Sequence, residues 1–209
     1  MYAKNTWEKY KDQLNEVFDY NEGYKHYISK NKTERACVKD SIKLAEEKGF
    51  KPLESFDTLK SGDKVYVTNR GKNIALFIIG KKPLTEGMRI LGAHIDSPRM
   101  DLKQNPLYES EGFTLADTHY YGGIKKYQWV TIPLSLYGVV CKKDGTVVDV
   151  VIGEDENDPV VGISDLLIHL SADQLDKKAA KVIEGENLDV TLGNMPLFGE
   201  EKDAVKANI

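Results

Sequence analysis

The sequence predicts an α/β fold in which a helical lead-in precedes a sheet and a second, strand-rich stretch follows. Apolar residues recur at three- and four-residue spacing over the first fifty residues, at every second residue from Lys64, and in a new alternating pattern after residue 127. These are the periods of a helix and of a strand. With 209 residues, 41% of them hydrophobic, the chain can bury a core as one large or two small domains.

The lead-in predicts two amphipathic helices. A break is expected at residues 21–23, and the second helix is expected over residues 33–48. Gly49 is predicted to end it in the left-handed conformation, with Pro52 shortly after. The apolar positions that indicate the first helix are Trp7, Tyr10, Leu14, Val17 and Phe18.

The sheet is predicted to begin with a hairpin. Residues 65–68 and 74–79 are rich in β-branched and apolar side chains, and residues 69–73 carry a turn signal. Residues 88–93 are apolar apart from Arg89, which is typical of a buried central strand. Because α/β folds place their sites beyond the carboxyl ends of strands, the residues that follow are candidates for function.

The second half is predicted to be mainly β. Residues 101–123 are polar and rich in turn formers, so no strand is expected there. Residues 128–141 alternate as a strand, and the turn at residues 142–145 returns residues 146–152 as its partner.

Shorter elements are expected towards the C-terminus. Ser164 is a suitable N-cap for a helix over residues 164–174, and residues 188–192 predict a strand. Residues 200–209 resemble the opening turns of an amphipathic helix that stops without a C-cap. This ending leads us to expect a chain cut from a longer one, although short terminal helices also fray.

Composition excludes several classes of partner. The formal net charge is −4, so the basic surface of a nucleic-acid-binding protein is not expected. The longest apolar run, residues 74–80, is far shorter than the roughly 18 residues of a membrane-spanning helix. Residues 1–20 are rich in charge and lack the apolar core of a signal peptide, so we expect a cytoplasmic protein. Cys37 and Cys141 are isolated and are expected to be small buried residues.

His94 and Asp96 are the strongest candidates for chemistry. They stand two residues apart at the end of the predicted central strand, so their side chains are expected on one side. In a metal site, the histidine would bind the ion and the carboxylate would orient it. In the alternative interpretation, a histidine ends a strand and Asp96 caps a turn that Pro98 rigidifies. Spacing alone leaves both open.

Longer sequence motifs are more specific than the spacing of His94 and Asp96. The segments LGAHIDSPRMDLK (91–103), NPLYE (105–109), THYYGGIKKYQW (118–129) and GEDENDP (153–159) resemble the M18 family of metallo-aminopeptidases, which includes aspartyl aminopeptidase. The resemblance covers nearly the whole chain. It favours the metal-site interpretation.

The resemblance implies roles at three matched positions. His94 matches a ligand of a two-metal site, usually zinc, with Co or Mn as possible substitutes. Asp96 matches the catalytic aspartate that supports this histidine. His169 matches a histidine that reaches the active site of a neighbouring subunit and contacts the peptide substrate; without the resemblance, an ordinary helix-surface histidine is the simpler interpretation. His119 is a weaker candidate near the substrate pocket, and His26 is expected to be structural.

The resemblance also implies an architecture. The family has a proteolytic α/β domain, interrupted by a largely β domain used for dimerisation, and assembles into a large tetrahedral homo-oligomer. Residues 1–103 correspond to the first part of the proteolytic domain and residues 104–209 to the inserted domain. We therefore expect an incomplete proteolytic domain followed by a dimerisation domain that mediates self-association.

The chain departs from the family in its ligand set. A two-metal hydrolase needs about five or six protein groups, including a bridging carboxylate and a general base. In related proteins, the other ligands lie beyond the point that matches residue 209. They are the bridging Asp, an adjacent Glu pair, a further acidic ligand and a final His. Residues 200–201 have no matching context. We therefore expect an aminopeptidase fragment that is inactive alone or, as an alternative, a non-catalytic oligomerisation or binding module.

Overall fold

The computed structural model describes residues 5–209, so the first four residues of the charged N-terminal segment lie outside the described part. The chain divides into two compact units. The first ends at Ser97, and the second spans Pro98–Ile209. Within residues 5–209, no helix is both long enough and apolar enough to cross a membrane.

The first unit begins with three α-helices: α1 (Thr6–Lys9), α2 (Leu14–Lys30) and α3 (Glu34–Glu47). The predicted break at residues 21–23 is wrong, because α2 continues through Gly23. A glycine inside a helix costs only about 1 kcal/mol relative to alanine, which the surrounding turns of α2 tolerate.

The predicted second helix is confirmed as α3. Thr33 is its N-cap, and its hydroxyl accepts a 3.2 Å hydrogen bond from the backbone N–H of Ala36. At the other end, Gly49 has a φ of +83°, and the N–H of Phe50 donates to the carbonyl of Ala45 at 3.0 Å. This left-handed ending is the one that the sequence predicts.

A three-stranded sheet follows, formed by β1 (Lys51–Pro52), β2 (Lys64–Asn69) and β3 (Asn73–Ile78). The strands lie in the order β1-β2-β3; β1 runs parallel to β2, and β2 is antiparallel to β3. The predicted hairpin is confirmed. Helix α3 packs on β2 and β3, and the buried residues of α3 and β2 form the core of the unit: Cys37, Val38, Ala45, Val65 and Tyr66.

The predicted central strand at residues 88–93 is wrong for this structure. These residues adopt neither helix nor strand, and Leu91 is fully exposed at 101%. A strand exists only when a neighbour accepts and donates its backbone hydrogen bonds. Within residues 5–209, β3 pairs with β2 alone, so no strand lies beside residues 88–93.

The second unit is built on strands, as predicted. Its strands are β4 (Arg99–Ser110), β5 (Phe113–Tyr121), β6 (Pro133–Leu134), β7 (Leu136–Cys141), β8 (Val147–Ile152), β9 (Val161–Gly162) and β10 (Val190–Gly193). β4 and β5 form the longest hairpin, and the order β4-β5-β10-β9-β6 makes a five-stranded sheet, while β7 and β8 form a separate pair.

The core of the second unit lies on one face of the five-stranded sheet. Leu188 is fully buried, and the hydroxyl of Thr118 donates to its carbonyl. The buried cluster consists of Ala116, Val130, Val161, Ile163, Ile183, Leu188 and Val190.

The sequence misses β4 and β5. Residues 101–123 look irregular because the pairing of β4 with β5 shifts register between Leu102 and Leu107. Such a shift interrupts the period of two. Buried positions of β5 are also partly polar, as at Thr114 and Thr118, so hydrophobic alternation is weak there.

The prediction for residues 128–141 is confirmed only in its second half. β7 and β8 form the expected hairpin, with all six residues of each strand paired. Before β7, the chain forms a short 3₁₀ turn at Lys126–Gln128, and Thr131 has a φ of +59°. A β-branched residue in the left-handed region interrupts a strand, which separates β6 from the residues before it.

The predicted helix at residues 164–174 is also broken. It is replaced by a 3₁₀ turn, Ile168–Leu170, and by α4 (Ala172–Leu175). The carboxylate of Asp165 accepts from the N–H of Leu166 at 2.8 Å. This local hydrogen bond competes with helix formation at the expected start.

The last predicted strand and helix are present but shorter. β10 covers the end of the segment expected at residues 188–192. The final helix, α5 (Ala204–Ala207), begins three residues after the acidic pair 200–201, because Asp203 adopts a left-handed φ of +47°. Cys37 is buried as predicted, whereas Cys141 on β7 is exposed, so that expectation is wrong.

Candidate functional site

The His94–Asp96 segment lies in irregular backbone at the end of the first unit. His94 projects outwards, with 85% of its side chain exposed, whereas Ile95 and Asp96 are half-buried. The imidazole of His94 is therefore accessible to a ligand from solvent, while the two residues after it are partly covered. The segment therefore has the geometry of a candidate site, although it is not the end of a strand.

His94 and Asp96 are in direct contact, as their spacing predicts. The Nδ1 atom of His94 lies 3.1 Å from Oδ1 of Asp96 and 3.1 Å from its backbone carbonyl oxygen. A carbonyl oxygen can only accept, so Nδ1 carries the proton. In the neutral ring, the lone pair is then on Nε2, which is the nitrogen available to a metal ion.

This arrangement fits a metal ligand with a carboxylate partner. Metal-binding histidines commonly donate their second ring N–H to a carboxylate or carbonyl, which fixes the tautomer and the ring orientation. Among residues 5–209, however, no group of three or more His, Cys, Asp or Glu side chains is arranged to hold a metal ion. The donor set present fits one ligand of a site, and does not fit a complete site.

The segment that carries His94 also contacts Cys37, which the sequence did not indicate. The thiol of Cys37 on α3 lies 3.8 Å from the carbonyl oxygen of Ile95 and 3.5 Å from that of Asn31. Sulfur hydrogen bonds are long and weak. The sequence gives no signal for this contact, because Cys37 and Ile95 are 58 positions apart.

Polar contacts fix the junction between α2 and α3 beside Cys37. The carboxylate of Asp40 accepts from Nζ of Lys30 and from Nδ2 of Asn31, both at 2.9 Å. These two hydrogen bonds hold the pKa of Asp40 below its usual value. Tyr27 lies within hydrogen-bond distance of Ser41 (3.3 Å), and burial raises its pKa.

His169 lies in the second unit, in the 3₁₀ turn Ile168–Leu170, and is exposed. The expected helix is replaced by a turn, but the expected apolar surroundings are present. The neighbouring side chains are largely exposed to solvent: Leu166, Leu167, Ile168 and Leu170. We call residues 166–170 the His169 turn.

The two weaker histidines occupy regular elements. His119 is exposed on β5, where the sequence predicts a turn, and its ring stacks on Tyr120 with centroids 5.4 Å apart. His26 is exposed on α2. The structure thus brings His94 and Asp96 together in the first unit, and places His119 and His169 in the second.

The first unit, an α/β unit, carries an exposed histidine supported by a carboxylate, which is the feature of a candidate metal-dependent enzyme. The family model described as Aminopeptidase I zinc metalloprotease (M18) matches residues 27–208, and the chain belongs to this family. The recognition made from the motifs is confirmed.

Individual relatives agree with the family. A curated protein of Clostridium acetobutylicum, "Probable M18 family aminopeptidase 1", is 59% identical over 212 residues that cover 99% of this chain and 46% of the relative. The crystal structure of an M18 family aminopeptidase from Thermotoga maritima is 45% identical, with a TM-score of 0.91, and covers 100% of this chain and 45% of that one.

A distant solved structure shows the fold alone. The mApe1 dodecamer of Saccharomyces cerevisiae is 24% identical, with a TM-score of 0.65, over 83% of this chain and 38% of that one. The mixed α/β fold is therefore shared with M18 aminopeptidases. The chain spans about half the length of the curated relatives that it matches.

Proposed function

We propose that this chain supplies part of a zinc-dependent aminopeptidase, with His94 as a ligand of one metal ion. The observation that carries the proposal is the 3.1 Å contact from Nδ1 of His94 to the Asp96 carboxylate in a member of the M18 family. Its substrate would be the N-terminal end of a peptide. The assignment of residues 1–103 to a proteolytic domain and residues 104–209 to an inserted dimerisation domain belongs to the same proposal.

The two residues have separate tasks. His94 binds through Nε2, because Nδ1 is engaged. Asp96 keeps the proton on Nδ1 and limits rotation of the ring, so it aims the ligand. Two bound divalent ions, zinc or in its place cobalt or manganese, would polarise the scissile carbonyl and lower the pKa of a bound water.

By itself, this chain is proposed to be inactive. One histidine cannot hold two ions, and the described residues present no group of three ligands. The test is a peptidase assay on the purified 209-residue chain with added Zn²⁺ or Co²⁺. We expect background hydrolysis only. Turnover by the wild type that disappears in His94→Ala would overturn the claim that ligands are missing.

Metal binding is tested separately from activity. Zn²⁺ titration, followed by NMR of the imidazole carbons, should shift the His94 signals first. His26→Ala is the matched control, because His26 is also exposed but lies on the regular helix α2. We expect His26→Ala to leave the strongest shift unchanged and His94→Ala to abolish it. A response that stays in His94→Ala would refute the proposed ligand.

Self-association is proposed to involve the His169 turn. Leu167 and Leu170 are 71% and 70% exposed, which is costly for adjacent large apolar side chains unless a second surface covers them. A neighbouring copy on this turn would contact His169, which the resemblance expects to reach that copy's peptide substrate. The surface thus suits the substrate-contacting role that the resemblance implies.

Leu167→Glu tests this surface. Leu84→Glu in the first unit is the matched control, since Leu84 is 73% exposed and lies outside the His169 turn. Sedimentation should show that Leu167→Glu weakens self-association, whereas Leu84→Glu does not. Equal behaviour of the two variants would count against the turn as an interface.

The second candidate function is a non-catalytic oligomerisation or binding module. The β7–β8 pair favours it, because this separate hairpin exposes Val140, Val147 and Val151 to about half of their area or more. Size-exclusion chromatography separates the two candidates. A defined oligomer without activity favours the module, whereas an unstable or aggregating chain favours part of an enzyme.

A further inference from the structure

Cys37 lies where three segments meet. Its thiol faces the carbonyl of Asn31, the C-cap of α2, at 3.5 Å and the carbonyl of Ile95 at 3.8 Å. Its own backbone N–H donates to Thr33 at 2.9 Å in the first turn of α3. The side chain is 6% exposed. A residue so placed connects the rigid helical part of the unit with the irregular segment that carries His94.

The segment that carries His94, residues 88–98, has no regular secondary structure to fix its backbone. Residues 88–98 form neither helix nor strand, so its backbone is not fixed by a ladder of hydrogen bonds. Ile95 and Asp96 are its half-buried residues, between the exposed His94 and the exposed Ser97. The Ile95 carbonyl is thus one point at which the helical core can hold the backbone between the histidine and its carboxylate partner.

We propose that Cys37 is the positioning residue for the His94–Asp96 pair: its single S–H proton, shared between the carbonyls of Asn31 and Ile95, restrains the backbone of residues 94–97 and thereby the direction in which His94 presents Nε2. The contact with the segment stands on its own geometry, and its role towards a metal ion rests on the proposed function. Cys37 does not act as ligand or nucleophile in this role, because its sulfur is buried and faces backbone oxygens.

The junction behind Cys37 is itself well fixed. Asn31 is 7% exposed, and its side chain donates to Asp40 on α3 at 2.9 Å. The hydroxyl of Tyr27 lies 3.3 Å from that of Ser41, which joins α2 to α3 a second time. These contacts hold α2 and α3 together independently of residues 94–97, so the thiol lies on a fixed helical frame.

The test separates hydrogen bonding from packing. Cys37→Val removes the S–H donor and keeps an apolar, somewhat larger side chain, whereas Cys37→Ser keeps a donor. Val38→Ala is the matched control, because Val38 is the next residue of α3, is 2% exposed and loses packing when truncated. Heteronuclear ¹⁵N NOE values report the fast backbone motion of residues 94–97 in each variant.

We expect Cys37→Val to lower the NOE values of residues 94–97, and Cys37→Ser to restore them in part. In Zn²⁺ titrations, Cys37→Val should weaken the response of His94 by about twofold, less than the loss of a typical hydrogen bond, because the S–H group is a weak donor. Val38→Ala should lower the melting temperature and leave both readouts unchanged. Should Cys37→Val fail to fold, Cys37→Ala takes its place in the same comparison.

Two outcomes would overturn the proposal. In the first, residues 94–97 keep their NOE values in Cys37→Val while residues near Asn31 become mobile, which would show that the thiol serves α2 alone. In the second, Val38→Ala loosens residues 94–97 as much as Cys37→Val does, which would make Cys37 an ordinary core residue. A wild-type segment that is rigid yet gives no zinc response at His94 would instead count against the proposed metal role.

Discussion

The hydroxyl of Tyr108 donates a 2.6 Å hydrogen bond to Oδ2 of Asp189 and so joins β4 to the residue before β10. β5 lies between these two strands in the sheet, so the contact spans a neighbour. The other oxygen of the carboxylate, Oδ1, is buried and has no hydrogen-bond partner among the described residues. Asp189 therefore depends on the tyrosine for its hydrogen bonding.

Tyr108→Phe is expected to lower the free energy of unfolding by about 1–2 kcal/mol, because it leaves a partly buried carboxylate without its donor. Urea unfolding measures the change. Tyr127→Phe is the control, since Tyr127 is exposed, and it should change stability by less than about 0.5 kcal/mol. Equal effects of both variants would contradict a special role of the Tyr108 hydroxyl.

Burial and Asp189 raise the pKa of Tyr108 to about 12. The unfolded chain releases this proton near pH 10, whereas the folded chain retains it. The stabilisation is therefore present below pH 10 and is lost as the pH rises from about 10 to 12. In Tyr108→Phe this part of the alkaline loss should be absent. An unchanged alkaline profile in urea unfolding would refute the assignment.

Through Asp40, the α2–α3 junction is expected to lose stability at low pH. Hydrogen bonds from Lys30 and Asn31 lower its pKa below the ordinary value of 3.8. Its contribution to stability is thus present above that ordinary value and is lost as the pH falls through the lower folded pKa. Asp40→Asn should be less stable than the wild type at pH 7, by less than about 1 kcal/mol, and should converge with it in strong acid. A constant difference at all pH values would contradict this.

Gly185 packs so closely against Tyr120 of β5 that a larger side chain does not fit at this position. A Cβ atom at this position would lie 2.8 Å from Cε1 of Tyr120, whose ring is also stacked on His119. Gly185→Ala should destabilise the second unit by about 1–3 kcal/mol, because the ring must move. Gly123→Ala is the control, since a Cβ there meets nothing within 4 Å. Thermal unfolding of both variants gives the comparison, and similar melting temperatures would refute the prediction.

The side chain of Glu109 caps the first turn of the last helix, α5. Its Oε2 atom accepts from the backbone N–H groups of Val205 and Lys206 at 2.9 and 3.0 Å. Glu109→Ala should cost about 1 kcal/mol, as the loss of a helix cap does, and should speed tryptic cleavage after Lys206. Glu200→Ala removes an exposed carboxylate from the same region and should cleave at the wild-type rate.

Local sequence signals were sufficient for several elements. The apolar spacing over residues 33–48 and the stop at Gly49 located α3 correctly, and alternation with a turn identified the β2–β3 and β7–β8 hairpins. These elements depend on neighbours in sequence. The apolar run 88–93 failed as a strand because pairing depends on a neighbour that the described residues do not contain.

Only the part of the candidate site that is formed by neighbours in sequence could be predicted. Spacing of two placed His94 and Asp96 on one side, and the structure has them in contact. The exposure of His169 within a turn was not predictable from the helical pattern, because the side chain of Asp165 competes for the backbone. The metal-ligand and substrate roles, the domain boundary at residue 103 and the cytoplasmic location stay predictions.

Residues 88–93 have a consequence for the fate of the chain in a cell. They form an apolar stretch with neither helix nor strand, and Ile90 and Leu91 are 77% and 101% exposed. Chaperones and proteases act on segments of this kind, since an accessible backbone can enter their binding clefts. A polypeptide surface that covers this stretch would therefore protect the chain from that machinery.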